Sequence, residues 1–243
     1  MTETPLFELW VYLAASPLLW LTATLACYLL AHRIYGIAGS SPLLNPVAVA
    51  VCLLIGLLVL TDTPYETFFD GAQFVHFLLG PATVALAIPL YRQREKLARL
   101  WLPIALALVA GIFAAALSAI GIAAAFGAGP ETLLSLAPKS VTAPVAMGIA
   151  EKLGGHPSLT AVLVVITGIL GAIMGTGVFR LLRIQEDSVK GVAMGVTSHG
   201  IGTARAFQIS REMGAFSGLA MALSAFATAV LLPPVLRWLG LTG

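Results

Sequence analysis

Charge is what this sequence has least of. Asp, Glu, Lys and Arg make up 10% of its 243 residues and apolar types 59%, whereas an average soluble domain carries about 25% charged residues. That scarcity excludes an ordinary water-soluble domain. The formal net charge of +2 is too small to imply nucleic acid or an acidic partner, and no nucleic-acid function is expected. Cysteine is nearly absent: Cys27 and Cys52 both fall in apolar runs, where free cysteine behaves as a small hydrophobe, so neither a disulfide framework nor a metal spacing exists. No Lys or Arg precedes the first apolar run. The basic n-region of a cleavable signal peptide is therefore missing, and the first helix is expected to stay attached. Catalytic signatures are lacking as well: there is no nucleophile elbow, no phosphate-cradling loop after a strand and no HExxH. Ser198 and His199 are neighbours in sequence, which does not make them a nucleophile and its base. No catalytic residue, metal or cofactor is expected, and the chain does not read as an enzyme.

What is present is a series of long apolar runs separated by short polar ones, with a mean hydropathy of +0.97. This predicts an all-α polytopic membrane protein and not a β-barrel, whose strands would alternate apolar and polar residues. The first run, about Leu9 to Ala31, is long enough to cross roughly 30 Å of hydrocarbon at about 1.5 Å per residue, with Pro17 as a kink. It ends at His32 and Arg33. A second run follows Asn45 and Pro46 and ends near Leu60. The segment from Gly71 to Tyr91 carries Gly80 and Pro81 at its centre, and proline removes a backbone donor, so this is read as a broken helix. Trp101 to about Phe126 is an Ala-rich crossing. Leu133 to Gly155 is interrupted at Pro138, Lys139 and Ser140 and again at Pro144. Leu159 to Val178 is unbroken, and Ala215 to about Trp238 is the last crossing. The reading is about seven crossings plus one re-entrant or broken helix, with discontinuous helices and internal repeats.

The distribution of Lys and Arg bears on which segment turns back. If every segment crosses with the N-terminus outside, the basic residues of loops and tails divide 7 inside to 4 outside. If Leu133 to Gly155 is re-entrant, the split becomes 9 to 2, which the positive-inside bias prefers. The N-terminus is then expected in the periplasm and the basic loop Arg92 to Arg99 in the cytoplasm.

One stretch stands apart from this lipid-like background. Gly195 to Ser210, GVTSHGIGTARAFQIS, places three glycines with Ser198, His199, Thr203 and Arg205 inside an apolar region. Backbone in hydrocarbon must be satisfied internally, so such a stretch is tolerable only where a helix breaks beside a protein-lined, wet cavity. Three segments share a shape of break, small pair, short helix, charged cluster and crossing. They pass through Thr83, through Thr142-Ala143 to Glu151-Lys152, and through Thr203-Ala204 to Arg211-Glu212. Secondary transporters are often built from such repeats, although small-residue membrane helices also look alike by composition alone.

FDGAQFVHFLLGPATVALAIPLY, LAPKSVTAPVAMGIAEKLGG, GVTSHGIGTARAFQIS and GAFSGLAMALSAFATAVLLPP, with the earlier SPLLNPV, occur here in order. On these motifs the chain resembles the LrgB/CidB (YohK-like) family of bacterial inner-membrane proteins, and the resemblance covers nearly its whole length as a single LrgB-like transmembrane domain, residues 1–243. The resemblance implies a smaller LrgA/CidA-type membrane partner, supplied in trans because no such part is fused here. The plastid glycolate/glycerate translocator resembles the two fused, which implies transport of small hydroxy- or ketocarboxylates such as glycolate, glycerate or pyruvate. The same family carries an older reading as holin- or antiholin-like modulators of murein hydrolase activity and autolysis. The expected partners are thus the small membrane protein, a small carboxylate and the bilayer, with a homo-oligomer left open.

Candidate substrate contacts follow from the breaks. Arg205 offers a planar fork to a carboxylate, or else serves an internal ion pair. His199 titrates near neutral pH and would couple protons, or else caps the break. Lys139 starts a half-helix and either meets the ligand or snorkels to the interface. Ser198, Ser140, Thr142, Thr83 and Thr203 donate to a carboxylate or bond back to their own helices. Gly80, Gly200 and Gly202, with Pro81, permit close backbone approach. Asn45 is a weaker candidate that also suits the start of its helix.

Overall fold

The computed structural model describes residues 16–78, 81, 84, 85 and 87–241. These residues form helices and no strand, in two compact units, Met1–Ala85 and Leu86–Gly243.

In the first unit, α1 (Pro17–Ile37) packs on α2 (Pro46–Leu60) and α3 (Tyr65–Phe77). Pro17, expected as a kink, instead occupies the first helical position after Ser16, where its missing N–H costs nothing. The helix also runs past His32 and Arg33 to Ile37. The part of the first apolar run before Ser16 lies outside the described residues. Trp20 is fully buried and meets the edge of Phe68 at a ring separation of 6.0 Å. The small Gly71 lets α3 lie against Trp20 and the Pro17 carbonyl, where a Cβ would clash. Asn45 is buried and its Oδ1 accepts from the backbone N–H of Val47 at 2.9 Å and of Ala48 at 3.3 Å. Its side chain therefore caps α2, with Pro46 at the first helical position.

The second unit holds α4 (Ala87–Arg92), α5 (Arg94–Ala125), α6 (Pro130–Leu136), α7 (Ala143–Leu153), α8 (Pro157–Leu181), α9 (Asp187–Ile209) and α10 (Arg211–Trp238). With α1 of the first unit, α5, α8 and α10 are long and apolar enough to cross a membrane. Lipid is as apolar as a leucine side chain, so these helices associate through fit and through the polar atoms they must pair.

Those polar atoms reveal two hairpins. The α6–α7 pair begins and ends at the same level: Glu131 meets His156 Nε2 at 2.9 Å, and the Ser135 hydroxyl accepts from the His156 N–H at 2.7 Å while donating to the Glu131 carbonyl. Leu133 to Gly155 is therefore re-entrant, as the charge distribution favours. The second hairpin is α9 itself. At His199 the backbone leaves the helix (φ 39°, ψ −130°) and reverses, so that Ser210 Oγ donates to the Asp187 carboxylate at 2.7 Å across 23 residues. A straight helix would hold these ends about 34 Å apart. The focal stretch, expected to cross, instead turns back, and the described residues hold two re-entrant elements where one was expected.

The hairpins enter from opposite ends. Lys96 at the start of α5 pairs with Glu212 at 2.6 Å and Glu186 at 3.5 Å, which fixes the start of α5, the mouth of α9 and the start of α10 at one end of this unit. At the other end Ile120 of α5, Leu133 and Leu153 of the α6–α7 hairpin and Leu232 and Leu236 of α10 share one core cluster. The order is thus crossing, hairpin, crossing in the opposite direction, opposed hairpin, crossing. α5 with α6–α7 and α8 with α9 are inverted copies of one motif, the architecture of many secondary transporters.

Arg92, Arg94, Lys96, Arg99, Arg180, Arg183, Lys190 and Arg211 lie at the end bearing the mouth of α9, and Lys152 and Arg237 at the opposite end. The first end is expected to face the cytoplasm. In a background lacking native cysteines, Arg94→Cys should resist an impermeant maleimide added to intact cells while Ser158→Cys reacts. The reverse pattern refutes this orientation.

Candidate functional site

The two hairpins bring their tips to the same region. The first limb of α9 spans about 18 Å at 1.5 Å per residue, roughly half the hydrocarbon thickness. At its tip His199 is buried, and its Nε2–H donates to the Val164 carbonyl of α8 at 3.0 Å. The neutral ring therefore carries its proton on Nε2 and leaves Nδ1 as an acceptor. Val164 in turn packs on Val141 and Ala146 of the opposed hairpin, so one residue of α8 touches both tips. α8 makes room for this: a side chain at Gly168 would collide with the His199 ring, and one at Gly171 with Ser198 Oγ.

His199 holds a conformation suited to glycine, a strain on the order of 1 to 3 kcal/mol that persists only where surroundings enforce it. The bond to Val164 supplies part of that enforcement. Thr203 Oγ1 supplies more by donating to the His199 carbonyl at 2.8 Å, and it accepts in turn from Ser217 Oγ of α10 at 2.9 Å. Gly202 lets the two limbs of α9 touch, since a Cβ there would fall 2.8 Å from the Met194 carbonyl.

Beside the tips is a small cavity of about 10 Å³, lined by Ile112, Ala115 and Ala116 of α5, Pro138 and Ser140 of the α6–α7 turn, Val196 of α9 and Thr228 of α10. It has room for about one water molecule. Thr228 is 3% exposed and Ser224, one turn earlier on α10, 1% exposed. Neither hydroxyl has a hydrogen-bond partner among the described residues. A buried hydroxyl without a partner costs about 1 to 3 kcal/mol, which makes this pair a place where a polar guest is favoured.

The expected site residues sort by position. Ser198, His199, Gly200, Gly202 and Thr203 form the tip of α9 and the start of its return limb, and Lys139, Ser140 and Thr142 form the opposed tip. Two of the three sequence breaks therefore converge. Gly80 and Thr83 lie outside the described residues, and Pro81 is exposed in the first unit. Lys139 is half-buried, with no ion pair to a described residue. Arg205 stands farther from the tip, on the return limb, where it is half-buried and its Nη1 donates to Gln208 Oε1 at 3.1 Å. Ser217, Ser224 and Thr228 were not singled out by sequence. Their spacing places them on one face of α10, yet isolated hydroxyls in an apolar helix carry no local mark of function.

The mouth of α9 is held by charge. The Asp187 carboxylate accepts from Ser210 Oγ and pairs with Lys190 Nζ at 3.0 Å, and these contacts, the Ser210 hydrogen bond foremost, hold its carboxyl below the usual range. A depressed native value means that the stabilisation is complete above the unfolded value of about 4 and is lost as pH falls through the native one. Asp187→Asn is expected to cost about 1 kcal/mol at neutral pH, given its partial exposure, and to flatten the acid limb of the melting curve. Melting temperatures of both proteins from pH 7 to pH 3 check this. An acid limb unchanged in the variant would refute it.

Crossings that alternate in direction, with opposed re-entrant hairpins meeting beside buried hydroxyls, define a polytopic helical membrane protein with an internal polar junction. Residues 24–238 match the LrgB-like family, and the chain belongs to that family. It is 38% identical over 195 residues to the uncharacterized protein YwbG of Bacillus subtilis strain 168, covering 80% of this chain and 87% of that protein. It is also 31% identical over 216 residues to the holin-like protein CidB of Staphylococcus aureus strain N315, covering 89% and 94%. The holin-like protein CidB of Staphylococcus epidermidis is 30% identical over 194 residues, covering 80% and 85%. No solved structure matches the chain. With its apolar helices, this family membership makes the chain a multi-pass bacterial membrane protein.

Proposed function

We propose that the protein is a secondary carrier of small hydroxy- or ketocarboxylates of the glycolate, glycerate and pyruvate kind, acting in the inner membrane with an LrgA/CidA-type partner and catalysing no chemical step. The observation that carries this reading is the pair of oppositely entering hairpins whose tips converge beside the buried Thr228 hydroxyl, which has no partner among the described residues. In this conformation the cavity of about 10 Å³ is too small for a carboxylate. Loading then requires the tips to part, and a site that must open and close around its ligand suits alternating access.

A second reading rests on a different observation. The named relatives in Staphylococcus are holin-like proteins, and their names favour a holin-like role, with which the family resemblance associates regulation of murein hydrolase activity, over carboxylate transport. A holin-like assembly would be an oligomer with a lumen. Counter-flow of labelled glycolate, glycerate, pyruvate and lactate into proteoliposomes, with and without the small partner, separates the two. A carrier saturates and shows competition among substrates, whereas a pore gives flux that rises linearly and does not distinguish them. Linear, unselective flux would overturn the carrier reading.

A further inference from the structure

Two basic residues break the charge asymmetry of the second unit, and both border one groove. Lys152, in the last turn of α7, and Arg237, in the last turn of α10, flank a recess of about 290 Å³ between these helices. Below them the walls are apolar, with Val145 and Ile149 from α7 and Ala229 and Pro233 from α10. From Lys152 to Pro144, and from Arg237 to Ala229, the groove runs about 12 Å along its helices. No acid lines it, and Glu151 beside Lys152 is not part of its wall. Neither cation forms an ion pair with a described residue. Trp238, next to Arg237, is 84% exposed, and a tryptophan in that setting marks the headgroup level of a bilayer.

The groove therefore has a polarity gradient along the membrane normal: two cations at headgroup depth above an apolar trough that reaches toward the hairpin tip. A small hydrophilic anion would satisfy the cations and leave the trough empty. A neutral lipid would fill the trough and leave the cations unpaired. We infer that the α7–α10 groove is a binding site for one anionic phospholipid, its phosphate held between Lys152 and Arg237 and an acyl chain lying along α7. Because α7 is the return limb of a re-entrant hairpin, the bound lipid would brace the hairpin from its outer side. This site does not depend on the carrier reading.

The test uses the full chain in nanodiscs of phosphatidylcholine doped with phosphatidylglycerol, with retained lipid counted by native mass spectrometry. Two cations near the surface predict about a thirtyfold preference for phosphatidylglycerol at one site, falling to about fivefold in Lys152→Gln or Arg237→Gln and vanishing in the double variant. Gly148→Trp keeps both charges and directs a ring into the trough, since a Cβ at Gly148 meets nothing within 4 Å. It should abolish the preference too, which attraction to surface charge alone would not do. Inorganic phosphate has the headgroup charge without the chain and should leave the preference intact. Three results would overturn the inference: equal retention of both lipids by the unaltered chain, a preference that survives Gly148→Trp, or a preference erased by inorganic phosphate. Cross-linking of a protein helix to a cysteine at Gly148 in native membranes would also overturn it.

Discussion

Gly202→Ala is expected to unfold the second hairpin while Gly200→Ala, two residues away, leaves it intact. A Cβ at position 202 would fall 2.5 Å from Ser198 Cβ and 2.8 Å from the Met194 carbonyl, and a backbone oxygen has no rotamer by which to yield. The limbs of α9 would have to part, at about 1 to 3 kcal/mol for overpacking. Parting them strains the His199 bond to Val164 and the Thr203 bond to Ser217, each worth roughly 1 kcal/mol. The total expected loss is therefore about 3 to 5 kcal/mol, and Gly202→Val should lose more. At position 200 the nearest atom to a new Cβ is Met221 Sδ at 3.9 Å, so alanine fits and improves helix propensity. Thermal melts and gel filtration of the two alanine variants decide the matter. Equal stability would show that the limbs do not touch at Gly202.

Lys139→Met is expected to raise thermal stability and to weaken carboxylate binding. An ammonium in the membrane interior with no ion pair to a described residue is unfavourable, and methionine keeps the apolar stem while removing the charge. Loss of a charge-assisted hydrogen bond of about 1.5 to 3 kcal/mol lowers affinity by on the order of 10- to 100-fold. A lysine that only snorkels to the interface predicts neither change. Arg205 supplies the contrast, because its guanidinium already bonds Gln208 on the return limb. Arg205→Lys retains charge and loses the fork, so an effect on binding without an effect on melting would assign the carboxylate to Arg205. Ligand-induced thermal shift, measured beside apo melting for Lys139→Met, Arg205→Lys and Arg205→Ala, reads out both. Unchanged binding in Lys139→Met would remove Lys139 from the site.

Membrane class, helical content and the two helix breaks of the second unit were legible because each is local. Apolar runs of sufficient length span a bilayer, and Pro138 and the glycines around His199 interrupt them. The return of Leu133 to Gly155 was legible from charge, since it moves Arg180, Arg183 and Lys190 to the basic end. The return of α9 was not. With α6–α7 re-entrant, a crossing α9 puts Arg211 opposite the basic end and Arg237 on it; a re-entrant α9 exchanges them, and the second unit still divides eight to two. Twenty-three helical residues also match a crossing in length. What distinguishes the two is a hydrogen bond between Ser210 and Asp187, a long-range fact with no local pattern. Ser224 and Thr228 were illegible for a similar reason: hydroxyls usually bond back to their own helix, and only the packed structure leaves these two without a partner among the described residues.

The position of Lys139 at a hairpin tip has an electrical consequence. A charge carried across the whole membrane exchanges about 2.3 kcal/mol with the field per 100 mV, so a tip that moves its ammonium through part of the thickness exchanges a proportionate share. If a monovalent carboxylate binds there, it cancels that charge, and reorientation of the loaded protein becomes electrically silent. The empty protein still moves a positive charge. Voltage would then act on the return step alone, so that exchange of one carboxylate for another is insensitive to membrane potential while net flux is driven by it. Setting potassium and valinomycin gradients across proteoliposomes would separate those two modes.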